Sequence, residues 1–153
     1  MAFAAATDVL TLTIPNRISL ALIVSFFLAA PLAGMSLETM LMHVGAFAFI
    51  LAVGIVVFSL GWMGGGDAKL MAAGSLWIGF PLLVPFFAYI AICGGALAVV
   101  MLLYRRIPAE ALPGHDWVAR LHRAESGIPY GLAIAGGAMW VYPKTEIFRG
   151  LIG

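Results

Sequence analysis

Residues 64–70, Gly-Gly-Gly-Asp-Ala-Lys-Leu, lie between two long apolar segments of the chain. A carboxylate at the edge of a hydrocarbon layer is costly and usually functional, so Asp67 is a candidate for chemistry. The three glycines would let the backbone turn where a Cβ would clash, and would let another group approach closely. In a simpler interpretation, Gly64 to Gly66 end one helix and Asp67 is the N-cap of the next helix. This stretch alone leaves both interpretations open.

The composition is that of an integral membrane protein. Of the 153 residues, 63% are hydrophobic and only 10% are charged, whereas soluble domains usually carry about 25% charged residues. The net charge of +1 gives no basic field that would attract nucleic acid, so no nucleic-acid partner is expected. The single cysteine, Cys93, excludes an internal disulfide and any CxxC zinc site. The sequence predicts neither a metal site nor a cofactor.

The apolar segments predict an all-α, polytopic transmembrane helical bundle, formed by residues 1–153 as a single membrane-embedded domain. Residues 70–104 are apolar for longer than one crossing needs, and Pro81 and Pro85 predict a break within them. Small residues spaced as Gly127-x-x-x-Gly131 and Ala133-x-x-x-Gly137 predict close helix packing. About five membrane helices, one of them short, follow an N-terminal helical stub; the predicted helices are residues 18–34, 40–63, 68–80, 83–103 and 128–142.

Two polar features outside the glycine-rich segment have ordinary explanations. Residues 105–127 contain four arginines, which indicate a cytoplasmic loop by the positive-inside rule, with contact to substrate or lipid head groups as a secondary possibility. A metal or acid–base cluster of His115, Asp116 and His122 is weakly supported, because adjacent residues point to different faces of a helix. His43 is a lone histidine near a helix end without an HExxH-like partner, so we expect an interface residue rather than a ligand.

Asp8 changes the interpretation of Asp67. Two predicted crossings separate the two acids, so both should lie on one side of the membrane, and two further helices bring the arginine-rich segment to that side. Two carboxylates that lie close together share a proton. One can then act as a base on water while the other donates a hydrogen bond to the carbonyl under attack, which is the chemistry of aspartic proteolysis. No serine lies in a GxSxG elbow that would support a serine protease.

Three segments together resemble a family. Gly64-Gly65-Gly66-Asp67 with Lys69 resembles the GxGDxK motif of the type IV prepilin peptidases, which are membrane aspartic proteases. Asp8 followed by Ile14-Pro15-Asn16 is similar to that family's first catalytic aspartate and its trailing IPN, and Ile128-Pro129-Tyr130-Gly131 is similar to a further family segment. The short chain without a cysteine motif resembles the small Tad/Flp-pilus branch. The resemblance implies Asp8 and Asp67 as catalytic residues, with supporting motif residues Gly64, Gly66, Lys69, Pro15 and Asn16.

The resemblance also implies a substrate and a location. The substrate would be a prepilin or pseudopilin precursor, cut between its basic leader and its apolar helix at the cytoplasmic face of the bacterial inner membrane. The enzyme would be a multi-pass protein in contact with the lipid bilayer, and a homo-oligomer is an open alternative. Which pilin is cut, and whether the product is methylated, also stay open. Family members carry basic residues just after the first aspartate, where this chain has Val-Leu-Thr-Leu-Thr at residues 9–13.

Two further alternatives concern the acids and the start of the chain. In a small helical transporter or a pilus or secretion assembly subunit, the acids would carry protons or cap helices, and Asp8 and Asp67 need not be close. Seven residues precede Asp8, and as a helix they would reach about 10 Å, a third of the hydrocarbon core. We therefore expect the native product to begin upstream, unless this stub packs in a groove between the other helices.

Overall fold

The computed structural model describes residues 1–108, 116–123 and 127–152. Within these ranges every regular element is helical, which confirms the predicted all-α class. Short 3₁₀ turns at Phe80–Leu82 and Tyr142–Lys144 lie between helices. The α-helices are α1 (Ala2–Thr11), α2 (Asn16–Leu32), α3 (Leu37–Ser59), α4 (Gly65–Ile78), α5 (Leu83–Tyr104), α6 (Asp116–His122), α7 (Tyr130–Val141) and α8 (Glu146–Ile152).

The outer surface of the helices is apolar, as a membrane bundle requires. Two stretches, Leu37–Ser59 and Phe80–Tyr104, are long and apolar enough to cross a membrane, and α1 and α2 are shorter apolar helices. Large side chains point outward without cover; Val84, for example, is 80% exposed. Such exposure is stable in lipid and would favour aggregation in water. The fold is therefore that of a helical membrane bundle.

The predicted break between α4 and α5 is present, but Pro85 does not cause it. Gly79 ends α4 with a φ of 73°, a conformation that favours glycine, and Pro81 lies in the 3₁₀ turn that follows. Pro85 lies in the first turn of α5, where its missing N–H would have no intrahelical partner in any case. Gly79 and Pro81 therefore account for the break.

The start of α4 differs from the simpler interpretation of the glycine-rich segment. Gly64 is the N-cap of α4 and Asp67 lies in the first turn, so Asp67 is not the N-cap. The preceding helix α3 already ends at Ser59, so the glycines begin a helix rather than end one. Pro15 is the N-cap of α2, and Asn16 is its first helical residue.

Helix α4 lies at the centre of the bundle, packed against α2, α3 and α7. Its residues from Ala72 to Leu76 are all buried. His43 of α3 is also buried; its Nδ1 donates to the carbonyl oxygen of Leu76 at 2.7 Å, and its ring stacks on Phe26. His43 thus connects α3 to α4 and α2, and α4 is held on several sides.

Helix α7 provides close contacts through its small residues. A Cβ added at Gly137 would lie 2.7 Å from Ile90 Cγ1 of α5, which confirms the close packing predicted there. Gly127 precedes α7 with a φ of 77°, so the spacing Gly127-x-x-x-Gly131 is not a helical motif. Helix α1 packs along α7, with Ala4 fully buried. Residues 2–11 are thus a stub packed on a neighbouring helix.

Candidate active site

Asp8 and Asp67 line the same cavity. It has a volume of about 360 Å³ and is formed by three separate parts of the chain: the end of α1 with the residues after it, the start of α4, and the residue two before α7. A water molecule occupies about 30 Å³, so the cavity has room for water and for part of a peptide. The lining residues are Asp8, Leu12, Thr13, Ile14, Gly64, Gly65, Gly66, Asp67 and Ile128.

Asp8 is held by a backbone N–H from another helix. Its side chain is only 5% exposed, and its Oδ2 accepts a hydrogen bond of 2.6 Å from the N–H of Gly131. Gly131 lies in the first turn of α7, where N–H groups have no intrahelical partner and the helix dipole favours an anion. A Cβ added at Gly131 would lie 2.8 Å from that Oδ2 and 2.9 Å from Asp8 Cβ. The contact therefore requires glycine.

Gly131 was not identified from the sequence as a partner of Asp8. The small-residue spacing indicated helix packing there, and the family resemblance included Gly131 only as the last residue of a similar segment. No periodicity links two residues so far apart in the chain. The resemblance was the one signal that pointed to this segment.

Asp67 lies in the first turn of α4 and is partly buried. A carboxylate at this position is favoured by the positive end of the helix dipole. A Cβ added at Gly64 would lie 3.1 Å from Asp67 Oδ2, and one added at Gly66 would lie 3.2 Å from Ile14 Cβ. Neither Gly64 nor Gly66 has a positive φ. Their lack of a side chain therefore matters because it lets Asp67 and Ile14 approach the backbone closely, and not because the chain makes an unusual turn.

The segment between α1 and α2 forms one wall of the cavity. Leu12 has a φ of 54°, an uncommon value for a residue other than glycine, and its N–H donates to the carbonyl oxygen of Asp8 at 2.7 Å. The hydroxyls of Thr11 and Thr13 lie 2.8 Å apart. This left-handed turn ends α1, and Ile14, two residues later, lies against Gly66.

Lys69 and Asn16 link the two motifs that carry the acids. Lys69 Nζ donates to Asn16 Oδ1 at 3.0 Å, across the starts of α4 and α2, and both residues are exposed. Pro15, also exposed, is the N-cap that sets the direction of α2. The motif residues Lys69 and Asn16 therefore contact each other, at the edge of the site.

No group of three or more histidine, cysteine, aspartate or glutamate side chains in the described part of the chain could hold a metal ion. His115 lies outside the described residues, so the cluster with Asp116 and His122 cannot be placed. His122 Nε2 donates to the carbonyl oxygen of Ile107 at 2.9 Å, a contact that fixes a loop.

The arrangement can support acid–base chemistry on a peptide. Two carboxylates face one cavity at the end of apolar helices, with backbone around them and room for water. In such a pair one group can take a proton from water while the other donates to a carbonyl oxygen. Such chemistry needs neither a metal nor a nucleophilic side chain.

The comparisons with known proteins agree with this geometry. The model of the type IV leader peptidase family matches residues 1–99, which include both acids and all but one of the residues that line the cavity. No curated protein and no solved structure matches the chain. Since the family match covers well over half of the chain and the fold is a helical membrane bundle, the chain belongs to the type IV leader peptidase family.

Proposed function

We propose that the chain is an aspartic endopeptidase that removes the leader from type IV prepilin-like precursors, with Asp8 and Asp67 as its catalytic pair. Family membership supports a leader peptidase in general. The observation that carries the aspartic mechanism is the cavity: two acids from distant parts of the chain line it together. A transporter or assembly subunit would not require that juxtaposition.

The proposed reaction uses both carboxylates. One takes a proton from a water molecule, whose oxygen attacks the carbonyl carbon of the scissile peptide bond. The other, protonated, donates a hydrogen bond to the carbonyl oxygen as negative charge develops there. The carboxyl group that took the proton from water then gives it to the leaving nitrogen as the C–N bond breaks. The N–H of Gly131 occupies one oxygen of Asp8, and the other accepts no hydrogen bond from the described residues, so it is available to water or substrate.

The proposed location is the cytoplasmic face of the bacterial inner membrane, in a multi-pass protein with one membrane-embedded domain. Helices α2 and α3 separate the acids and return the chain to the same side. Helices α4 and α5 then bring Arg105 and Arg106 to that side, as the positive-inside rule requires of a cytoplasmic segment. A precursor that is cut between its basic leader and its apolar helix presents the scissile peptide bond at the cytoplasmic surface of the membrane. We assign the substrate to the Flp/Tad pilins and pseudopilins on the sequence resemblance.

The test is cleavage of a Flp-type pilin precursor by the full chain reconstituted in liposomes, with the product identified by mass. Asp8→Asn and Asp67→Asn should each lower the rate by at least about 10³-fold, since each group has an essential proton-transfer role. The matched control is Glu146→Gln, which removes an exposed carboxylate on α8 and should stay within about two-fold of wild type.

Two results would count against the proposal. Cleavage by either asparagine variant within a few-fold of the wild-type rate would remove that acid from the mechanism. Wild-type protein that leaves the precursor intact but moves protons across the liposome membrane, in a manner abolished by Asp67→Asn, would establish the transporter alternative.

A further inference from the structure

The arginine-rich segment after α5 contains a helix that is anchored to its neighbours. The hydroxyl of Tyr104 donates to the carbonyl oxygen of Val118 at 2.9 Å, and Arg105 Nε donates to that of Leu121 at 3.2 Å. Arg105 Nη2 also donates to the carbonyl oxygen of Gly127 at 2.6 Å. Val118 and Leu121 are buried, with 6% and 5% exposure. These bonds fix α6 on the end of α5.

From this fixed position α6 contacts the helix that carries Asp8. Arg120 Nη1 donates to the carbonyl oxygen of Leu10 at 3.0 Å. Leu10 lies in the last turn of α1, where carbonyl groups lack intrahelical donors and where the helix dipole favours a cation. The guanidinium of Arg120 supplies both a hydrogen-bond donor and a positive charge there. It lies beyond residues 1–99, which the family model matches.

Arg120 contacts the end of α1 at which Asp8 lies. Asp8 lies two residues before Leu10, which corresponds to about 3 Å along the helix axis. The N–H of Gly131 fixes one side of Asp8, and Arg120 fixes the carbonyl end of the same turn. Loss of the second contact would leave the last turn of α1 free to fray.

We propose that Arg120 is a positioning residue for cleavage: by holding the carbonyl of Leu10, it fixes the end of α1 and with it the Asp8 carboxylate. This inference rests on the proposed function, in which Asp8 is catalytic. Arg120 acts through the backbone of α1 and does not contact the substrate. Its loss should therefore lower kcat and leave KM unchanged.

The experiment compares three variants of the full chain in liposomes with the pilin precursor: Arg120→Gln, Arg120→Lys and the control Arg123→Gln. The two glutamine variants remove the same charge, three residues apart, so any effect of net charge on membrane orientation is matched. Because small misplacement of a catalytic group can cost about 10²-fold, Arg120→Gln should lower kcat at least about ten-fold with KM within about two-fold. Arg120→Lys, which keeps a donor, should recover most of kcat, and Arg123→Gln should resemble wild type.

Hydrogen exchange gives a second readout that does not depend on turnover. The amides at the end of α1 should exchange faster in Arg120→Gln than in Arg123→Gln, while those of α4 stay the same. If Arg120→Gln is not recovered folded, Arg120→Met, which keeps the apolar stem and removes the donor, carries the same comparison, with kcat lowered at least about ten-fold and faster exchange in α1. Wild-type kcat together with wild-type exchange in Arg120→Met would then overturn the proposal.

The remaining outcomes are separable from failure of the proposed function. Equal kcat in Arg120→Gln and Arg123→Gln would overturn the positioning role, as would a raised KM with unchanged kcat, which would indicate a substrate contact instead. Failure of the proposed function would appear in wild type, as absence of cleavage, or in Asp8→Asn, as retained cleavage. Neither result depends on Arg120.

Discussion

Gly131 is the residue on which the position of Asp8 depends most directly. It supplies the N–H that holds Asp8 Oδ2, and its lack of a side chain lets α1 approach α7. Both roles involve only Gly131 and Asp8, so the substitution of Gly131 by alanine tests them directly.

We expect Gly131→Ala to lower kcat by about ten- to a hundred-fold, because the added Cβ would displace the Asp8 carboxylate. It would lie within 2.8 to 3.1 Å of three Asp8 atoms. The matched control is Gly95→Ala in α5, where an added Cβ meets nothing within 4 Å. Rates are measured on equal amounts of folded protein. Equal activity of the two alanine variants would show that the approach of α1 to α7 is not needed for turnover.

For single residues, the sequence identifies the charged members of the candidate site but not the residues that contact them. Asp8 and Asp67 stand out because acids are costly in an apolar chain. The N–H of Gly131 has no such signal, since every residue except proline has one. The interpretation of Asp67 as the N-cap of α4 was wrong; glycine is also accepted at an N-cap, so residue types alone do not distinguish Gly64 from Asp67.

At the scale of the helices, the starts of α2 and α4 are tied by the bond between Lys69 and Asn16. The bond joins the chain that follows Asp8 to the helix that carries Asp67. It is exposed, so its contribution to stability should be modest, about 0.5–1 kcal/mol. Its contribution to the geometry of the cavity can be larger.

A double-mutant cycle tests this link. Lys69→Met and Asn16→Ala should each lower kcat by about three- to ten-fold, and the double variant should be no slower than the worse single one. The shared loss follows because either substitution removes the same hydrogen bond. Multiplied effects in the double variant would mean that the two residues act separately, for example with Lys69 contacting the substrate.

The sequence predicted the apolar helices and missed the two seven-residue helices, α6 and α8. The break near Pro81 was predicted because residues 70–104 are too long for one crossing. Helix α6 was taken for a loop because its segment is polar, and polar residues are typical of loops. Its anchors are backbone carbonyls, those of Val118, Leu121 and Leu10, and no pattern of side chains records which carbonyl a donor reaches.

At the scale of the whole molecule, the account requires both acids on the cytoplasmic side. Trp62, between α3 and α4, is 79% exposed, and Leu37, at the start of α3, is 72% exposed. They lie at opposite ends of α3. Cysteine at each position can therefore report the orientation of the bundle.

We expect Trp62→Cys to react with a membrane-impermeant reagent in inverted vesicles and not in intact cells, and Leu37→Cys to show the reverse. Wild type, with Cys93 inside α5, is the control and should not react. The opposite pattern of labelling would place Asp67 on the outer face, away from a cytoplasmic leader.

The central claim is that Asp8 and Asp67 work as one catalytic unit, and the residual cleavage rates of Asp8→Asn, Asp67→Asn and the double variant test it most directly. Groups that act as a unit have strongly non-additive effects. The account predicts that each single substitution lowers the rate by at least about 10³-fold and that the double variant is no slower than the single ones. A single variant within a few-fold of wild type, or a double variant slower by the product of the two effects, would contradict it.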